Sequence, residues 1–389
     1  MIDFTFHNPT RIHFGRTALS HLREELDRFG SRVLLVYGGG SIKRIGLYDQ
    51  VMAILNEAQA QVWEISGVQP NPRLQLVYDG IELCRAHNVQ LVLAVGGGSA
   101  IDTAKAIANG ACYDGDVWDL FTGKGSNTEV LPLGTIVTLP AAGSEMSDSA
   151  VITREEDQCK RGRNTPLHFP KFSILNPEYT FSLPPFQTAC GVVDIMAHMM
   201  ERYFTQVENV ELIDCMTEGA LRTAMNNAPI VLEKPDDYNA RAEIMWTGCL
   251  AHNTLFQTGR IGDWASHKIE HELSALYDIA HGAGLAIVFP AWMKYVLDRG
   301  GEKKLAQFAR NVMGVEAAGS ERETALEGIA RLERFYRSLG LVTTLHESGI
   351  DDRDFDRMAE RCAAMMGGTV GKFVPLTAED CKAIYQLAL

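Results

Sequence analysis

The feature that most constrains this chain is a rhythm in its first half. Short, almost purely apolar runs each lead into a turn, several of them rich in glycine, with helix-patterned stretches between. The runs fall at residues 33–37, 61–66, 91–95, 134–139 and 172–175; helical patterns at 74–87 and 100–110 separate some of them. Strand, helix, strand in this order requires crossovers, which give parallel pairing and a doubly wound sheet. The runs at 33 and 91 lack polar alternation, so both faces of that sheet are expected to be covered. Residues 1–14 read differently: Phe4, Phe6, Ile12 and Phe14 alternate with polar neighbours, the pattern of a hairpin.

The pattern changes at Leu183-Pro184-Pro185. Beyond it come long helical stretches at 186–203, 210–226, 239–256, 265–276, 284–297, 304–313 and 321–339, with hardly any strand signal. A proline pair disfavours helix before it and starts one after it, so it makes a natural joint. The expectation is an α/β domain with a mostly parallel, Rossmann-like sheet over 1–183, an all-α domain over 184–389, and a cleft between them. A length of 389 residues suits two domains.

Charge and composition exclude several classes of partner. The formal net charge of -13 repels a phosphate backbone, so no nucleic acid is expected. No apolar run approaches the roughly 20 residues of a membrane helix, so no membrane partner is expected. The start MIDFTFHNPTRIHFG has neither the basic opening nor the apolar core of a signal peptide. The eight cysteines are scattered without a CxxC pair, as buried thiols of a reducing compartment are. The expected location is the cytoplasm.

Three strand ends run into turns: Gly38-Gly39-Gly40-Ser41, Gly96-Gly97-Gly98-Ser99, and Thr138-Leu139-Pro140-Ala141-Ala142-Gly143-Ser144-Glu145. Glycine at the carboxyl end of a parallel strand lets the backbone approach a ligand. The helix that follows then presents unpaired N–H groups and a partial positive charge. None of the three matches GxGxxG, yet three such turns on one sheet point to a nucleotide site.

In the second half, Asp194 and His198 are four apart on one helix face, as are His267 and His271, and His281 follows. A carboxylate with imidazoles suits a divalent first-row metal, Zn with an open position or Fe(II), and no cysteine stands at ligand spacing. Spacing alone leaves open which of the five bind. The histidines at 7, 13, 21, 87, 168, 252 and 346 show no partner pattern and read as structural.

Four motifs in order, GGGSAIDTAK at 96–105, TLPAAGSE at 138–145, GVVDIMAH at 191–198 and HKIEHELSALYDIAHG at 267–282, resemble the iron-containing, group III alcohol dehydrogenases. Within these, the chain is most similar to the butanol-dehydrogenase-like branch of NADPH-dependent aldehyde reductases. The resemblance implies an α/β dinucleotide domain followed by a helical metal domain. It implies a metal held by Asp194, His198, His267 and His281, with His271 a non-ligand lining the substrate cavity. It places Gly97, Gly98 and Ser99 on the pyrophosphate, Thr138, Leu139, Ser144 and Tyr179 along the cofactor, and Lys160 near its ribose. Relatives often carry proline where Ala280 precedes His281, which affects local loop shape alone.

NAD-preferring relatives commonly have an acidic residue where this chain has Gly38. Without that carboxylate, Gly38, Gly39, Gly40 and Ser41, with Lys43 and Arg44 nearby, are expected to favour NADP(H) over NAD. The implied reaction moves hydride between this cofactor and a small aldehyde or alcohol, the metal acting as Lewis acid. His271 or a water chain is expected to carry the proton, and Asp102 to position the cofactor. Two rival readings are a lyase resembling dehydroquinate synthase and a non-catalytic nucleotide-binding module. Relatives suggest a homodimer joined through the N-terminal hairpin.

Overall fold

A computed structural model describes residues 1–316 and 319–389. Its strands, among the described residues, are β1 (Arg11–Phe14), β2 (Arg32–Gly38), β3 (Gln61–Val68), β4 (Leu91–Gly96), β5 (Leu133–Val137), β6 (Ser149–Arg154), β7 (Cys159–Asn164) and β8 (Phe172–Leu175). Six form one sheet in the order β1-β8-β5-β4-β2-β3, every pair parallel. The other two make an antiparallel ribbon, with Thr153 opposite Lys160.

Parallel register brings the turns to one edge of the sheet. Tyr37 of β2 stands beside Val95 of β4, and Gly96 of β4 beside Val137 of β5. The three turns therefore begin at the same level. The apolar runs are buried as their lack of alternation requires: Val33, Leu35, Leu91, Leu93 and Val95 pack with Leu22, Leu26, Leu47, Val51 and Leu55 from the covering helices.

The hairpin expected over residues 1–14 is not present. β1 spans four residues and pairs in parallel with β8, while residues 1–10 form no strand. Alternation reports which side chains share a face but not what the strand pairs with, and the side chains of Phe4 and Phe6 are exposed.

After the joint, helices dominate. Pro184 caps Pro185–Tyr203 in an extended conformation, and Pro185 takes the first helical position, where its missing N–H costs nothing. Further helices are Glu211–Glu233, Ala265–Tyr277, His281–Val296 and Glu321–Ser338. Contacts group the chain into two compact units. One comprises His7–Leu183 with Lys234–Asn253, so that the helix Tyr238–Ala251 belongs with the sheet. The other comprises Met1–Phe6, Pro184–Glu233 and Thr254–Leu389. Among the described residues, no helix is long and apolar enough to cross a membrane.

Candidate active site

The α/β unit offers a surface made mostly of backbone. Gly97 caps the helix Gly98–Ala111, its carbonyl accepting from the N–H groups of Ala100 and Ile101, so the N–H groups of Gly98 and Ser99 at the helix start have no helical partner. A Cβ at Gly98 would lie 2.9 Å from Ala142 Cβ, and one at Gly97 would lie 3.1 Å from Leu139 Cβ. The second and third turns thus touch, and glycine is what lets them. The third turn starts with Thr138 donating its N–H to Gly96 O at 2.9 Å. Gly39 and Gly40 face open space, and Gly40 has the left-handed φ of +100° that favours glycine.

The side chains around these turns are tied down. Asp102 accepts from the Ser144 hydroxyl at 2.6 Å and from the Val151 N–H at 2.9 Å, so both its oxygens are engaged within the fold. Lys160 donates to Asn71 Oδ1 at 3.0 Å. Tyr179 packs on the sheet core and lines a cavity of about 500 Å³, with Ile45 and Gln50 among its other walls. Lys43 departs from expectation. Its ammonium lies over the rings of Tyr48 (4.5 Å) and Tyr37 (5.2 Å), whose hydroxyls both donate to Glu64. Stacking on aromatic faces draws this cation toward β3.

The helical unit offers a cluster of charged side chains. Asp194 and His198 come from Pro185–Tyr203, His267 and His271 from Ala265–Tyr277, and His281 opens His281–Val296. Ligand atoms of Asp194, His267 and His281 all lie within 4.8 Å of one another, as do those of Glu270, His271 and His281. His198 stands against the first group, its Nδ1 3.2 Å from Asp194 Oδ1 and its ring 4.7 Å from that of His267. The ring of His271 is 5.6 Å from that of His281.

Asp194 Oδ1 and His267 Nε2 are buried and take no hydrogen bond from any described residue. Leaving such atoms unpaired is costly. Burial by itself would raise the pKa of Asp194, but the imidazoles of His198, His267 and His281 hold it well below the usual carboxylate range. Burial pushes His198 far down, which leaves it neutral as a metal ligand must be. Burial also acts to lower His267, and the carboxylates of Asp194 and Glu201 more than offset it. The donor set fits a divalent cation.

Matches to known families decide the assignment. Residues 9–177 match the family described as iron-containing alcohol dehydrogenase, and residues 188–389 match its C-terminal family. The chain belongs to the iron-containing alcohol dehydrogenases. It is 47% identical over 390 residues to a probable NADH-dependent butanol dehydrogenase of Bacillus subtilis, and 36% identical over 391 to the NADPH-dependent aldehyde reductase YqhD of Escherichia coli, covering 100% of each chain in both cases. A crystal structure of NADH-dependent butanol dehydrogenase A from Thermotoga maritima superposes with a TM-score of 0.95 at 42% identity, covering 99% of this chain and 98% of that one. The chain is therefore an alcohol dehydrogenase or aldehyde reductase that uses a divalent metal and a nicotinamide cofactor. Neither the lyase nor the non-catalytic reading is favoured.

Two residues of this alcohol dehydrogenase site escaped the sequence reading. Glu201 accepts from His267 Nδ1 at 2.8 Å and from the backbone N–H groups of His267 (2.9 Å) and Trp264 (2.5 Å). Glu270 accepts from Nδ1 of His281 and from the Ser274 hydroxyl. Both carboxylates are fully buried. A signal was present: Glu201 continues the helix face of Asp194 and His198 at the next turn, and Glu270 stands three residues after His267.

Proposed function

We propose that the chain interconverts small aldehydes and alcohols at a divalent metal held by Asp194, His198, His267 and His281, with the dinucleotide lying along the three turns. The observation that carries this reading is the orientation of two imidazoles. Nδ1 of His267 is directed at Glu201 and Nδ1 of His281 at Glu270, so Nε2 of each ring is left as a lone pair. Those lone pairs converge on Asp194. One carboxylate with three imidazoles suits Fe(II) or Zn. When bound, the ion supplies Lewis-acid polarisation of the substrate oxygen. Glu201 and Glu270 fix the tautomers and ring planes of the histidines they face, and His271 exchanges the substrate's proton.

On the α/β side, backbone N–H groups of Gly97, Gly98 and Ser99 hold the pyrophosphate at the start of a 14-residue helix. Gly38, Gly39, Gly40 and Ser41 take the adenosine ribose, with Thr138, Leu139, Ser144, Lys160 and Tyr179 along the remainder. Asp102 acts by orienting Ser144. For the choice of dinucleotide, two observations pull apart. A turn without a carboxylate does not repel a ribose phosphate, which favours NADP(H). Lys43 is turned toward tyrosine rings, and the relative of higher identity is named NADH-dependent. The reading supported best is a turn that admits NADPH and uses NADH as well. We also propose a cytoplasmic homodimer. The eight free thiols suit that compartment, and the exposed side chains of Ile2, Phe4 and Phe6 supply apolar surface for a partner. Light scattering tests the dimer.

The deciding assay follows loss of NADH and NADPH with short aldehydes after anaerobic loading with Fe(II) or Zn. Turnover is expected with both dinucleotides, with kcat/KM values within about tenfold of each other. No turnover with either, in protein that holds the metal, contradicts the proposal.

A further inference from the structure

The segment from the third turn into β6, residues 144–151, passes from a single 3-10 turn at Ser144–Met146 through an irregular link at 147–148 into the strand, and carbonyls along it are partnered from outside. Glu145 O accepts from the Ser173 hydroxyl (2.6 Å), Met146 O from Asn8 Nδ2 (2.8 Å) and Asp148 O from the Thr165 N–H (2.9 Å). The carbonyls of Ser147 and Ser149 go to one group. Lys105 Nζ donates to Ser147 O at 2.9 Å and to Ser149 O at 2.7 Å, and lies 3.3 Å from Ser147 Oγ. Lys105 is completely buried, although burying a lysine is costly unless its charge is satisfied. Burial pulls its pKa down to about 8, which still leaves an ammonium at neutral pH. Three donors meet three oxygens, none of them a carboxylate oxygen.

The same helix, Gly98–Ala111, grips this segment a second time one turn earlier, through Asp102 on Ser144 Oγ and on the Val151 N–H. Asp102 and Lys105 stand three apart and so share a helix face. One acid and one base from the helix that begins at the second turn therefore hold both ends and the middle of the segment leaving the third. β6 continues from it and pairs with β7, which carries Lys160. A lysine is ordinarily found reaching solvent or a carboxylate; this buried one organises backbone beside the turns.

We propose that Lys105 is a positioning residue of the dinucleotide site: its buried ammonium sets the path of residues 147–149, and through them the placement of Ser144 and of the strand pair bearing Lys160. The inference rests on the reading that the three turns bind the dinucleotide. Replacing the ammonium by an apolar chain leaves Ser147 O and Ser149 O without their donor, and the segment must relax to find another.

The test is Lys105→Met, compared with wild type by titrating NADH fluorescence, with metal content and circular dichroism measured on the same samples. Expected are a folded protein, unchanged metal content, an NADH Kd raised about tenfold and a raised KM for NADH at little-changed KM for aldehyde. A folded Lys105→Met that binds NADH as tightly as wild type overturns the proposal. If wild type itself does not bind NADH, the underlying reading of the turns fails and takes this inference with it, so the two failures are distinct. Should Lys105→Met not fold, hydrogen exchange on wild type decides. Amides of residues 144–151 that slow on addition of NADH support the proposal, and amides that do not respond overturn it.

Discussion

The two units build their sites from different materials. The α/β unit uses backbone: glycines bring two turns into contact and a helix N-terminus supplies N–H groups. The helical unit uses side chains, gathering one carboxylate and the histidines from three helices, with a second layer of buried carboxylates behind. Glycine serves both, but differently. In the α/β unit it lets the second and third turns approach each other. In the helical unit Gly282 lets its helix meet the backbone of Cys190, where a Cβ would overlap the Cys190 carbonyl, and Gly284 makes room for Glu270. A backbone site is written in contiguous residues, whereas a side-chain site depends on packing between distant ones.

That contrast predicts separable losses. His267→Ala is expected to cost about a thousandfold or more in kcat/KM while leaving the NADH Kd near wild type, read from parallel turnover and fluorescence titrations. Weakened NADH binding of similar size would erase the distinction between the sites. Gly282→Ala should destabilise the protein by about 3 kcal/mol in urea unfolding, because two helix backbones must separate. An unchanged midpoint would show that this contact is loose. Glu201→Gln is expected to lower metal affinity about 10- to 100-fold in a chelator competition, again with dinucleotide binding intact. Gly98→Ala should do the reverse, raising the NADH Kd about tenfold without altering metal content. The smallest effect expected is from Gly38→Asp, a shift of several-fold in the NADH-to-NADPH ratio of kcat/KM toward NADH. A ratio that does not move would count against the assigned role of the first turn.

What the sequence made legible follows the same division. Apolar runs ending in glycine showed where strands stop, as β2 does at Gly38 and β4 at Gly96, since a strand end depends on neighbouring residues. The pairing of Asp194 with His198 was legible because helical spacing is local. The partner of β1 was not, because alternation is blind to strand pairing. The ribbon of β6 and β7 was missed for a related reason: Lys160, Arg161 and Arg163 in β7 give no apolar alternation, and contacts such as that of Lys105 with Ser149 organise it from outside. Membership of the helix Tyr238–Ala251 in the sheet's unit runs against chain order, which a linear reading follows. Glu201 and Glu270 carried helical spacing, but an acid on a helix is usually solvated, and only burial distinguishes these two.

The central claim is that one divalent ion sits among Asp194, His198, His267 and His281. Its most direct test is the metal content of anaerobically loaded protein, wild type against Asp194→Ala, by mass spectrometry of the ion. About one ion per chain in wild type and almost none in the variant is the predicted result. A variant that keeps a full equivalent of metal would contradict it.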